Sequence, residues 1–194
     1  NDQWEPVEVH RDLAGNPVVG NVYFTSLHDT EIGQGVNPDM NPPVAESGDW
    51  GGLAYRNRLD ASQEGRLVYE TEGIFLNSIA FADIRYGGGI VEVDSIPQVV
   101  RPIDMTDARP TVHFNQISHS ADAAIGSTPN SSEETNFHAP NYQAIPFTSD
   151  YSRTGPDIVG NLLVDNSING HFLVIATPAT QGLEKLTVTA KWDD

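Results

Sequence analysis

Leu186-Thr187-Val188-Thr189-Ala190-Lys191-Trp192 places an apolar residue at every second position. A period of two over seven residues predicts a strand with one buried and one wet face. Val91-Glu92-Val93-Asp94 and Thr111-Val112-His113-Phe114-Asn115 repeat the pattern. Residues 171–177 are apolar through their centre, which predicts a strand covered on both faces. Residues 18–27, 66–72, 74–86, 98–103 and 158–164 complete the strand set, although the spacing in 74–86 also suits a short helix. Composition agrees, with 17 Val, 13 Ile and 13 Thr against 11 Leu. β-branched residues suit the pleated surface of a sheet.

Turn residues divide these runs. Gly87-Gly88-Gly89 and Asn169-Gly170 have hairpin chemistry, because both supply positive φ cheaply. Residues 31–52 and 118–149 read as long surface loops rich in Pro, Gly, Ser and Asn, and 54–61 and 120–125 have room for a turn or two of helix. No internal repeat and no dividing linker is visible. The 194 residues are therefore expected to form one all-β domain spanning 1–194. Its expected form is a β-sandwich or jelly-roll barrel of about eight to nine strands with long loops. An immunoglobulin-like sandwich is the rival, without the usual Cys-Trp-Cys spacing, since the chain has no cysteine.

Charge excludes several functions. Acids outnumber bases 27 to 10, for a net charge of −17, and only Lys185 and Lys191 are lysines. Such a surface repels phosphate backbones and anionic lipid heads. No apolar run approaches the roughly 20 residues that span a bilayer. At ~1 M salt the Debye length is about 3 Å, so carboxylate repulsion nearly vanishes; at low salt it opposes compaction. An acid-rich, lysine-poor surface is what very concentrated salt permits, and an acidic protein of ordinary salinity is the alternative.

Candidate chemistry is thin, and no catalytic, cofactor-binding or metal site is predicted. His113 and His119 would share a strand face only if that strand ran unbroken; His10, His28, His138 and His171 are dispersed. Asp165-Asn166-Ser167-Ile168-Asn169-Gly170 resembles the start of a calcium loop, but Ala176 stands where the bidentate Glu is needed. Glu70 with Glu72, Glu133 with Glu134, and Asp104 with Asp107 are the carboxylate pairs of the kind a glycosidase needs, and 27 acids make such pairs by chance. Trp4, Trp50, Trp192 and Tyr55 would suit a sugar-stacking platform, with core packing as the default. Asn130-Ser131-Ser132 is a formal glycosylation sequon. G-x-S-x-G and Walker A patterns are absent from the sequence.

A cysteine-free, acidic, lysine-poor β chain of this length, with its strand pattern running from Val18 to Trp192, resembles the smaller major capsid protein of tailless icosahedral haloarchaeal viruses with an internal membrane. The resemblance implies a single vertical jelly-roll. It also implies a structural virion protein without enzymatic activity or cofactor. Such a subunit associates with copies of itself and with a second, larger capsid protein in a high-salt environment, above a membrane contacted through other proteins and without direct nucleic-acid binding. Two other expectations stand beside it: a secreted halophilic β-sandwich module binding carbohydrate or cations, and an enzyme whose histidines and acids converge in a barrel.

Overall fold

The computed structural model describes residues 10–11, 17–18, 22–32, 44–56, 77–93, 95–132 and 155–175. Among these residues the chain is all-β, with fifteen strands and one 3-10 turn, η1, at Pro129–Ser132. Three sheets carry the fold. The first face joins β5 (Ser78–Ala80), β10 (Thr111–His113) and β13 (Asp157–Val159). A second face joins β3 (Val22–Phe24), β6 (Ala82–Arg85), β11 (Gln116–Ser118) and β14 (Leu162–Val164). The third joins β4 (Leu53–Arg56), β9 (Ile103–Thr106), β12 (Ala123–Ser127) and β15 (Ile168–Leu173). Two antiparallel pairs stand apart: β1 (His10–Arg11) with β2 (Pro17–Val18), and the hairpin of β7 (Ile90–Val93) and β8 (Ile96–Val99).

Every pairing within the three faces is parallel. Parallel neighbours need a long return connection. Here the return is the coil itself: the chain runs along the first, second and third faces, then rejoins the first face one rung further on. That arrangement is a parallel β-solenoid. It corrects the expected jelly-roll or sandwich, whose neighbouring strands are antiparallel. Alternation reports which face is buried and carries no information on strand direction, so the sequence reading could not separate the two.

One residue per rung points inward on the first face, giving the stack Ile79–Val112–Ile158. The second face contributes Phe24–Ile84–Ile117–Leu163. Two columns rise inside the third face, Leu53–Ile103–Ile125–His171 and Tyr55–Met105–Ser127–Leu173. Ile84, Ile103, Val112 and Ile117 are fully buried. Stacking like side chains in register suits β-branched residues, which hold one rotamer on a pleated surface.

The corners explain why so few residues turn the chain. Between the first and second faces, Phe81, Phe114 and Gly160 have φ of 56°, 53° and 66°; before the third face, Tyr86, His119 and Asp165 have φ of 60°, 55° and 54°. One left-handed residue redirects the strand at each corner. Behind the first corner, Asn115 accepts from the amide of Ala82 and donates to Ile79 O and to Asn161 Oδ1. Asn161 in turn accepts from the amide of Asn115 and donates to Val112 O. Asn166 does the same at the second corner, accepting from Ser120 N and donating to Ile117 O. A carboxamide offers both a donor and an acceptor, so it takes up the corner amide that no sheet reaches and adds a donor to a carbonyl of the preceding strand.

Residues 78–87, 111–120 and 157–166 therefore align as one ten-residue repeat, and the expectation of no internal repeat is corrected. The repeat is masked by insertions. Ile103 pairs with Ile125, a spacing of 22 residues. Ile79 to Val112 is 33 residues, because the β7–β8 hairpin intervenes; Val112 to Ile158 is 46.

Other expectations change with the topology. Residues 54–61 and 120–125 had room for helix, yet Leu53–Arg56 and Ala123–Ser127 are strands. The second lies inside the expected 118–149 loop and is buried throughout. Part of the 31–52 loop is also tied down, since Gly48 N donates to Tyr86 O and Gly88 N to Gly51 O. Gly87-Gly88-Gly89 leads into β7 and does not form the hairpin turn, while Asn169-Gly170 sits within parallel β15. That strand was expected to be covered on both faces, but His171 and Phe172 are exposed. Residues 66–72 and 186–192 lie outside the described residues.

Candidate functional site

The densest polar cluster lies on the outer face of β6. Ile84 points inward, so Asp83 and Arg85 point outward, where residues 25–31 cover them. Arg85 donates from Nε to both Asp83 oxygens at 3.0 Å and from Nη2 at 2.8 Å, and its Nη1 reaches Glu31 at 3.0 Å. These hydrogen bonds from the guanidinium to Asp83, with Asp29 and Glu31 nearby, hold Arg85 more firmly protonated than usual despite its partial burial. Asp29 is buried, accepts from Thr25 Oγ1 and Glu31 N, and lies 3.9 Å from Arg85. Partial burial, with Asp29 and Glu31 nearby, raises the pKa of the Tyr86 hydroxyl.

Ser26, His28 and Asp49 meet at the edge of this cluster, but they do not form a nucleophilic triad. Ser26 Oγ donates to Asp49 Oδ2, and His28 Nδ1 lies 3.3 Å from the same oxygen. The serine proton thus goes to the carboxylate and not to imidazole, the reverse of what activation requires. Burial alone would raise the Asp49 carboxyl, but hydrogen bonds from Ser26 and the Glu46 amide, with His28 alongside, bring it below its ordinary value.

A second Ser–His contact lies inside the third face, where Ser127 Oγ is 2.7 Å from His171 Nε2. Ser127 is 1% exposed, so no substrate reaches its hydroxyl. The contact satisfies a buried serine. His171 is exposed as a residue, yet desolvation of its ring lowers its pKa below the ordinary 6.5. The folded state therefore prefers the neutral ring, and this contribution is complete above pH 6.5 and lost as pH falls below it. The stability of the parent relative to His171→Gln should fall between pH 7.5 and pH 5. Urea midpoints at constant salt would measure it, and a pH-independent difference would refute the assignment.

The remaining sequence candidates separate. His113 and His119 do not pair, because the corner at Phe114 and Asn115 puts His113 on the first face and His119 beyond the second. His113 Nε2 instead lies 2.7 Å from Asp157 Oδ2 on the next rung, and His119 stacks on Tyr86 with centroids 5.2 Å apart. Asp104 belongs to a strut on the third face. There Arg101 reaches Asp104 at 3.2 Å and Asp122 at 3.1 Å, and its guanidinium sits 5.2 Å from the Phe172 ring centroid. Gly126 makes room for it, since a Cβ there would lie 2.2 Å from Arg101 Cδ. Asp107 bonds Thr128 and does not face Asp104.

The calcium-loop resemblance dissolves into the second corner. Asp165 is its left-handed residue, Asn166 is a ladder rung, and Asn169 Oδ1 accepts from Asn166. Among the described residues no three of His, Asp and Glu converge as a metal site. Trp50 and Tyr55 pack against the core, with Trp50 Nε1 donating to Arg85 O, so they form no sugar platform. Ser131 and Ser132 of the sequon are buried in η1. Side chains of His10 and all structure of Trp4, Glu70, Glu72, Glu133, Glu134, His138 and Trp192 lie outside the described residues. No helix among the described residues is long and apolar enough to cross a membrane.

What the sequence reading missed is on the surface and at the corners. Phe81 and Phe114 stack on successive rungs with centroids 5.4 Å apart, and both are more than a third exposed. Bulky residues pay on the order of 1–2 kcal/mol for a left-handed backbone. The ladder residues Asn115, Asn161 and Asn166 were also missed, and the dipeptides Phe114-Asn115, Gly160-Asn161 and Asp165-Asn166 were their signal. No protein-family model, no curated protein and no solved structure matches this chain.

Proposed function

We propose that this chain is a structural subunit that works by assembling: a virion shell protein of a high-salt environment. It associates with copies of itself and with a second, larger capsid protein, and meets an underlying viral membrane only through other proteins. The supporting observation is the last described coil. Among the described residues β13, β14 and β15 are each paired on one side only. Val159, Leu162, Ile168 and Phe172 are 41–52% exposed there. A solenoid's rungs contact only their neighbours, and apolar side chains exposed on a rung are a surface that a partner can cover. With a charge of −17, copies approach closely only where salt screens them. The reading rests on these edges and on composition. The parallel sheets give no support to a vertical jelly-roll.

One observation favours a second reading, a secreted module binding carbohydrate: the exposed Phe81–Phe114 stack offers apolar ring faces of the kind sugars cover. Light scattering after size exclusion separates the two readings, at ~3 M salt and at the ~0.15 M where the Debye length is about 8 Å. Large assemblies at high salt that dissociate on dilution support the shell subunit. A monomer at both salts overturns it.

A further inference from the structure

The hairpin β7–β8 leaves the solenoid between the second and third faces and joins no other sheet among the described residues. Val91 rests against Gly51, while Ile90, Ile96 and Val99 are 72%, 59% and 45% exposed. A lone two-stranded ribbon is marginal in water, and its edges are templates for a further strand. The two edges differ here. Val100 N donates to Gly89 O while Ile90 faces Val99, so Ile90–Val99 and Glu92–Pro97 are the non-hydrogen-bonded pairs. The amides of Ile90 and Glu92 thus point away from β8. On the opposite edge Pro97 has no N–H to offer, which blocks β8 from continuing the ladder.

We propose that β7 is an interface between two copies of this chain, pairing antiparallel with the second copy's β7 about a two-fold axis at Val91. Ile90 then faces Glu92 of the second copy, both residues contribute the amides left over by the hairpin, and Val91 faces its own counterpart. Carboxylates never face directly in this register, whereas centring the axis on Glu92 would oppose them. Self-complementarity of this kind is what a two-fold interface requires. The inference rests on the reading of the chain as an assembling subunit and names one of its contacts. A four-residue edge is small beside the ~800 Å² per partner of a stable complex, so it acts in concert with other contacts.

The chain has no cysteine, so Ile90→Cys and Glu92→Cys introduce unique thiols on the exposed face. The full chains are oxidised at ~3 M salt, separately and mixed, and a disulfide dimer in the mixture exceeding that of either variant alone is expected. Glu92→Pro removes an outward amide and no hairpin bond, and should shift the scattering mass toward monomer. If Glu92→Pro does not fold, the cross-linking decides. Assembly of the parent with no excess of mixed dimer and no shift in Glu92→Pro overturns this interface alone. A parent that stays monomeric at high salt overturns the assembling subunit as well.

Discussion

Asn115→Ala should cost about 2–3 kcal/mol of stability, although it removes only a small polar side chain. The residue is 1% exposed. Its carboxamide accepts from the amide of Ala82 at 3.0 Å and donates to Ile79 O and Asn161 Oδ1 at 3.1 and 2.9 Å. Alanine leaves the Ala82 N–H buried without a partner, which costs about 1–3 kcal/mol, while Ile79 O stays within the parallel β5–β10 ladder. Ala82 occupies the same rung position one coil earlier and has no carboxamide, so this corner has no second amide to take over. Asn161→Ala, at a less buried rung, should cost about 1–2 kcal/mol. Urea unfolding in concentrated salt reads both as a lower midpoint at unchanged slope. A loss below ~1 kcal/mol for Asn115→Ala would show that a water molecule replaces the amide.

The Asn115 result bears on how much of the fold the sequence carried. Strand identity was legible, because burial imposes alternation wherever one face is wet: the patterns at 91–94 and 111–115 fall on the strands Ile90–Val93 and Thr111–His113, with the bounds shifted by one or two residues. Handling of strand direction was not legible, since parallel and antiparallel pairs bury the same residues. Corners were harder still. Residues 74–86 and 158–164 read as continuous strands, yet each turns through a single left-handed residue, Phe81 or Gly160. A Gly-Asn pair is ordinary turn chemistry, but Phe at positive φ is not, so only comparison of the three coils would have exposed the position. That comparison was hidden because the rungs recur after 33 and then 46 residues. The polar sites illustrate the same limit. His113 and His119 would share a face only on an unbroken strand, and the corner between them sends each to a different partner.

Gly52→Ala should be the most damaging alanine substitution among the described glycines. Gly52 enters β4 where the chain passes against the segment before β9. An added Cβ would lie 1.7 Å from Arg101 O and 2.9 Å from Pro102 Cα. Both obstacles are backbone, so no side-chain rotation relieves them. The segment is held in place by the Leu53 N to Pro102 O hydrogen bond of 2.9 Å and by parallel pairing of Leu53 with Ile103. Moving it also shifts Leu53 and Tyr55, which pack against the core. The expected cost exceeds the ~1–3 kcal/mol typical of overpacked side chains and leaves little folded protein at salt concentrations that sustain the parent. Gly170→Ala is the matched control. There the nearest atom to a new Cβ is Ile168 Cγ2 at 3.9 Å. That substitution should change stability by less than ~1 kcal/mol, in the stabilising direction if the unfolded chain loses freedom. Unfolding midpoints of the two variants side by side test the coil stacking itself. Equal effects would mean that β4 does not run parallel against β9, and the third face would lose its first rung.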